Sequence, residues 1–258
     1  MIGSRPALPR PAIYALILLF IVGFLLAPLP TARAAEADDA ATAMRLADLL
    51  RSARTVISRN QDLINDPSVG DKDLGGEKVL QEALVLLQER TGEDPRGTDP
   101  ESREGRLLRA QMEAIVAVMD ENQTTINARD VGFKGFIPAV FARLVNERFA
   151  EKVGNEARVK VTAPERLVRN RKARPDDWET SVIEDDFSRP DWPKGTPFSE
   201  VTEASGREAF RILVPEYYAP SCLSCHGEPA GEVDITGYPK EGGHEGDLGA
   251  AISVILFK

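Results

Sequence analysis

Histidine and cysteine are scarce in this 258-residue chain, with two of each, and aromatic residues make up only 6%. Two histidines leave little for acid–base catalysis. No Ser-His-Asp set, glycine-rich phosphate loop or acidic metal cluster is visible, so an ordinary hydrolase or phosphotransferase site is not expected. Internal repeats and low-complexity tracts are also missing. Only one apolar run is long enough to approach a membrane span, from Ala12 to about Leu29; the stretch Ala250–Phe257 is far too short. With no second span and no cytoplasmic output module in view, a transmembrane receptor is not expected.

What the first segment does contain is an export signature. Residues 1–11 carry Arg5 and Arg10 and no acid, the apolar run follows, and Ala32-Arg33-Ala34 supplies the small residues that signal peptidase prefers. Residues 1–34 therefore read as a secretory signal peptide, the alternative being an uncleaved membrane anchor. Both readings place the remainder outside the cytoplasm, in the periplasm. The formal net charge is −9, and losing the three arginines of residues 1–34 takes it to −12. An acidic surface argues against nucleic acid and anionic membranes as partners. It favours solubility, or docking to a basic redox partner.

The remaining composition, 42% hydrophobic and 28% charged, belongs to a globular chain. Residues 36–127 read as a helical region. Leu46, Leu49, Leu50, Ala53, Val56 and Ile57 recur near the helical period within Ala40–Ile64. The run Asn65–Gly70 breaks it, and amphipathic stretches follow over Glu77–Glu89 and from Glu101 onward. Residues 128–258 form the second region. Pro138 opens a helix over Ala139–Lys152, a position that suits proline. Strands are predicted at Arg158–Thr162, Pro197–Thr202, Glu208–Pro215 and Gly249–Phe257, with a short helix near Asp176–Ile183. Helices first and strands later predict an α+β fold with an antiparallel sheet.

The two cysteines stand in Cys222-Leu223-Ser224-Cys225-His226, the c-type haem attachment pattern. Two thiols three positions apart on a helical turn can add to both vinyl groups of one haem, and the adjacent imidazole of His226 then ligates the iron. A thioredoxin-like pair needs a strand–helix context that is missing here. A zinc site would have to combine Cys222, Cys225, His226 and His244, and adjacent ligands suit a tetrahedron poorly. A disulfide across two intervening residues would constrain little. The motif therefore predicts one covalent haem c. For the sixth iron position the candidates are Met119 or Met112, seven apart on one helical face, and His244. Each has a plainer reading, core filler for the methionines and an exposed loop for the histidine, and an open position is equally compatible.

From about Asp130 to Phe257 the chain resembles the PAS-like c-type haem sensor domains. The marks are Gly135-Phe136-Ile137-Pro138-Ala139-Val140-Phe141-Ala142, Leu167-Val168-Arg169-Asn170, Pro175-Asp176-Asp177-Trp178-Glu179, the CxxCH and Leu248-Gly249-Ala250-Ala251-Ile252-Ser253-Val254. The resemblance implies a twisted antiparallel sheet flanked by helices, with the haem at its side. It also implies sensing of redox state or a small gas. Arg169 and Asn170 match the turn after the first strand. Arg169 can pair with a haem propionate through its planar fork, or belong to a solvated basic loop. Trp178 packs in the core or on the haem edge. Some relatives carry a cysteine before the helix-opening proline. Here that stretch reads Val131-Gly132-Phe133-Lys134-Gly135, so Phe133 would leave an apolar face, and Lys134 is expected in water unless deprotonated to ligate.

The expected function is thus an exported mono-haem protein, not an enzyme, sensing redox state or a diatomic ligand through a periplasmic partner. A periplasmic electron-transfer cytochrome is the alternative. The helices of residues 36–127 are left three roles: packing on the sheet, covering the haem, or forming a homodimer.

Overall fold

The computed structural model describes residues 30–258. The apolar run and nearly all of the expected signal peptide lie outside the described residues. The chain divides into units 1–38 and 39–258. Of the first, the described part is the opening of a helix in which residues 33–38 are exposed. No helix among the described residues is long and apolar enough to cross a membrane.

Among the described residues, eight α-helices and four strands follow in order: α1 (Pro30–Arg59), α2 (Gln61–Asn65), α3 (Gly76–Thr91), α4 (Arg103–Glu121), α5 (Gln123–Ile126), α6 (Pro138–Val153), β1 (Ala157–Thr162), α7 (Asp177–Ser181), β2 (Phe198–Ala204), β3 (Arg207–Tyr217), α8 (Leu223–His226) and β4 (Leu248–Phe257). The fold is α+β, with a helical N-terminal half and an antiparallel sheet compatible with a PAS-like architecture.

Local chemistry sets the boundaries. The expected helix Ala40–Ile64 begins earlier, since nothing between Pro30 and Ala40 breaks it, and it divides at Asn60. There the side-chain amide donates to the Val56 carbonyl at 2.9 Å and competes with the backbone ladder. Gly92 ends α3 with φ +77°, donating its N–H to the Gln88 carbonyl, a conformation that glycine adopts without strain. Ser102 caps α4, its hydroxyl accepting from the Gly105 N–H at 3.0 Å. Pro138 stands in the first turn of α6. Asp176 and Glu179 close a reciprocal capping box on α7, after which the helix widens into a π-turn over Val182–Phe187.

The sheet order is β1-β4-β3-β2, antiparallel throughout. Its period-two alternation sends Ile212, Val214, Ile252 and Val254 to one face and Leu213 and Ala251 to the other. The first face shares a single core with α1, α3, α4 and α6, including Leu46, Leu50, Ile115, Phe141 and Phe149. The helices that precede the sheet therefore pack on it. The opposite face holds a smaller core of Val182, Ile183 and Phe187, joined by Trp178, Trp192 and Phe198. Trp178 belongs to this second core. Arg211 lies over its ring at 4.2 Å, and its indole N–H donates to Glu200.

One core position runs against the apolar rule. Gln111 on α4 is fully buried, and neither its amide nitrogen nor its oxygen has a hydrogen-bond partner among the described residues. An unsatisfied buried amide costs on the order of 1–3 kcal/mol. Gln111→Met, of similar length, is expected to hold or raise stability by about 1 kcal/mol, read as the urea midpoint. A loss beyond about 1 kcal/mol would show that the amide is satisfied in solution.

Candidate functional site

The CxxCH turn hangs from the end of β3. Pairing of β3 with β4 shifts register between Glu216 and Tyr217, releasing the chain from the sheet, and the Tyr218 N–H then donates to the Asp247 carbonyl at 2.9 Å. Pro220–Cys222 form one tight helical turn that runs directly into α8, and Gly227 closes α8 by donating to the Leu223 carbonyl. This winding puts Cys222 and Cys225 on neighbouring positions of one surface. Both are free thiols and both are partly exposed. Burial pushes the Cys225 thiol above its ordinary pKa, partly offset by the Ser224 hydroxyl, and nearby Asp234 adds to the rise.

Helix α1 braces the segment on both flanks. Arg51 and Arg54 each bind Glu216, at 2.5 and 2.8 Å, and Ser58 meets Ser221 hydroxyl to hydroxyl at 3.1 Å. None of these pairs is foreseeable from the sequence. Their partners are separated by more than 160 positions, beyond the reach of any local pattern.

His226 is held on three sides. Its Nδ1 lies 2.8 Å from a Glu241 carboxylate oxygen, its ring stacks on Tyr218 with centroids 5.1 Å apart, and its carbonyl accepts from Gly243 N–H at 2.7 Å. Tyr218 is itself buried. Burial, with the Glu241 charge adding to it, pushes its phenol up to about 12. A side chain at Gly243 or Gly249 would collide with the Tyr218 ring, so both positions require glycine for close approach. Glu241 is fixed in turn by Arg169, whose Nε and Nη2 donate to its two oxygens at 2.8 and 2.9 Å. Arg169 also donates to Asp234 at 2.6 Å and to the Cys225 carbonyl at 2.8 Å. Burial would raise the Asp234 carboxyl. Hydrogen bonds from Thr236, Arg169 and Tyr238 outweigh that and hold it far below the ordinary carboxylate range.

The structure thus gathers Arg169 with Cys222, Cys225 and His226, and adds Glu241, Asp234 and Tyr218, which no sequence motif singles out. The Asn170 side chain accepts from the Lys172 N–H and caps the turn Arg171–Ala173. Met119 is fully buried in the main core and Met112 packs against that core. His244 is an exposed loop residue beside Gly243, 3.5 Å from Asp247 and 4.0 Å from Glu228. Lys134 departs from the expected solvated state. Its ammonium is buried and donates to the Ile64 and Asp66 carbonyls at the end of α2, where helix-terminal carbonyls favour a cation; burial lowers its pKa. Phe133 beside it is partly exposed.

These residues fit a covalently held haem. Two free thiols share one turn with a histidine whose Nδ1 is engaged by a carboxylate. Because the two ring nitrogens sit on opposite edges, Nε2 is turned away from Glu241, and no hydrogen bond reaches it among the described residues. The zinc alternative lacks its ligand set: no three or more His, Cys, Asp or Glu side chains form a metal-binding group among the described residues. Tyr218 and Glu241 also border a groove of about 1000 Å³, lined further by Leu167, Phe187 and Leu248 and by neither cysteine nor His226.

No curated protein and no solved structure matches the chain. A family model described as Tll0287-like does match, over residues 96–256. That span is more than half of the chain. It includes the whole sheet apart from the last strand residue, together with the CxxCH turn and the Arg169, Asp234 and Glu241 that brace it. The chain belongs to the Tll0287-like family, a family of cytochrome c-type sensor-like domains.

Proposed function

We propose that this protein is an exported haem c protein of non-enzymatic function, carrying one covalent haem and sensing redox state or a diatomic ligand for a periplasmic redox or signalling partner. The observation that carries this reading is the turn itself, with two free, partly exposed thiols beside a histidine anchored through Nδ1 to Glu241. Cys222 and Cys225 would hold the group through thioethers and His226 would hold it through Nε2. When bound, the haem would supply a one-electron iron centre.

The chain's own residues favour a displaceable sixth position over a permanent thioether. Met119 is packed at zero exposure inside the helical core, where leaving would open a cavity, and Met112 packs against the same core. His244 is exposed on its loop, its ring 3.5 Å from Asp247 and 4.0 Å from Glu228. An electron carrier would instead keep six ligands in both oxidation states.

The test is mass spectrometry of protein matured with a haem-attachment system, followed by ferrous absorption spectra with and without CO. One added haem per chain and a CO-shifted spectrum are expected. A protein mass without haem sinks the proposal. A CO-insensitive, six-coordinate spectrum sinks the gas-sensing version and favours the carrier.

A further inference from the structure

We infer that Glu241 is the positioning residue of the iron ligand His226, and that Arg169 governs how much negative charge Glu241 lends to it. The inference rests on the haem reading above and assigns a role within the same site.

The geometry is unusually closed for a loop. One Glu241 oxygen accepts from Arg169 Nε alone; the other is shared between Arg169 Nη2 at 2.9 Å and His226 Nδ1 at 2.8 Å. The remaining arm of the guanidinium is anchored by Asp234, whose side chain is fully buried. The free Asp234 oxygen is saturated by the Thr236 N–H, the Thr236 hydroxyl and the Tyr238 N–H. Arg169 therefore cannot swing away, and it fixes the Glu241 carboxylate plane. Tyr218, stacked on the imidazole at an interplanar angle of 17°, limits rotation of the ring.

A carboxylate accepts the Nδ1 proton more strongly than a neutral carbonyl does. That partial withdrawal of the proton raises electron density at Nε2 and makes the imidazole a stronger donor to a metal. A stronger donor stabilises the ferric over the ferrous state, so Glu241 lowers the reduction potential. Arg169 acts in the opposite sense, because its charge competes for the same oxygen. Asp234, Glu241 and Arg169 together leave one surplus negative charge beside the ligand, so the lowering prevails.

Two measurements decide this. In the haem-free protein, nitrogen-15 NMR of the neutral imidazole reads the His226 tautomer. The Nδ1–H form is expected, and an Nε2–H form overturns the proposal without any variant. In haem-loaded protein, Glu241→Gln keeps the shape and removes the charge. The ferrous-to-ferric ratio at fixed poise should rise about tenfold, equivalent to ~59 mV for a one-electron couple. The iron–histidine stretch should fall in frequency, and Glu241→Asp should recover part of both changes. Equal haem content with unchanged potential and stretch overturns the inference while leaving the haem reading intact. If the unaltered protein carries no haem, the haem reading fails, and the tautomer still decides whether Glu241 positions His226.

Discussion

Replacing Cys222 and Cys225 together with serine is expected to take covalent haem from one per chain to none, the largest effect available at this site. The two thiols are the only cysteines in the chain, so no other residue can form a thioether. They are partly exposed and form no disulfide, so their loss removes neither a cross-link nor a core contact. Stability of the haem-free protein should therefore change by no more than about 0.5 kcal/mol. The check is haem absorbance that remains with the polypeptide after denaturation, paired with a urea titration of the haem-free forms. Each single substitution should retain one thioether and one vinyl group, visible as a shift of the absorption maximum. Haem that stays with the denatured double variant would overturn the attachment assignment. A large drop in urea midpoint would instead show that the thiols have a structural part.

Arg169→Met ranks second, and its effect is on the fold. The guanidinium is the shared donor to Asp234, Glu241 and the Cys225 carbonyl, and it is only 19% exposed, against a fully buried Asp234 side chain. Removing one partner of a buried pair costs about 3–5 kcal/mol, because the surviving charge stays buried. The low end, about 3 kcal/mol, applies here because Thr236 and Tyr238 continue to serve Asp234. For a chain of this size that is roughly 6–12 °C in melting temperature.

The deficit should depend on pH with a definite sign. Asp234 has its folded pKa depressed, and so does Glu241, where hydrogen bonds from Arg169 and His226 outweigh a burial effect that acts to raise it. Groups of this kind contribute stability above the unfolded carboxylate range, about pH 4, and lose it as the pH falls toward their folded values. Without Arg169 that contribution shrinks. The gap between the original protein and the variant should be widest near pH 7 and narrow below about pH 4. Parallel urea titrations at the two pH values measure it. An equal gap at both would point to lost packing of the arginine stem instead of lost charge.

Much of the architecture was legible because it is written in short-range periodicity. The apolar spacing from Leu46 to Ile57, the proline at 138 and the alternation of Arg158–Thr162 each specify an element within a few residues. The attachment turn was legible for a similar reason, since its chemistry demands near-consecutive residues. What supports the turn was not. Glu241 lies 72 positions from Arg169, and Arg51 lies 165 from Glu216, so these pairings exist only once the sheet has brought the segments together. Arg169 illustrates the difference. In sequence it is one of several bases in a loop and open to a propionate. In the structure its guanidinium is occupied by two carboxylates and a carbonyl. Lys134 is another case, because a buried lysine cannot be told from a solvated one until the carbonyls of Ile64 and Asp66 are placed around it.

The strand order β1-β4-β3-β2 also carries a consequence for how the molecule is made. β4 sits at the centre of the sheet, yet it follows every other strand in the sequence. β1 and β3 can form no ladder with each other and must wait for it. Closing that distant pairing is entropically slow, as in other topologies dominated by non-local contacts. The cysteine-bearing turn lies between β3 and β4, so it is tethered at both ends only once β4 has docked on β3. Chemistry at the two thiols therefore has a time window before β4 docks in which the turn is held from one side alone. A substitution that hastens docking of β4 should shorten that window without touching either thiol.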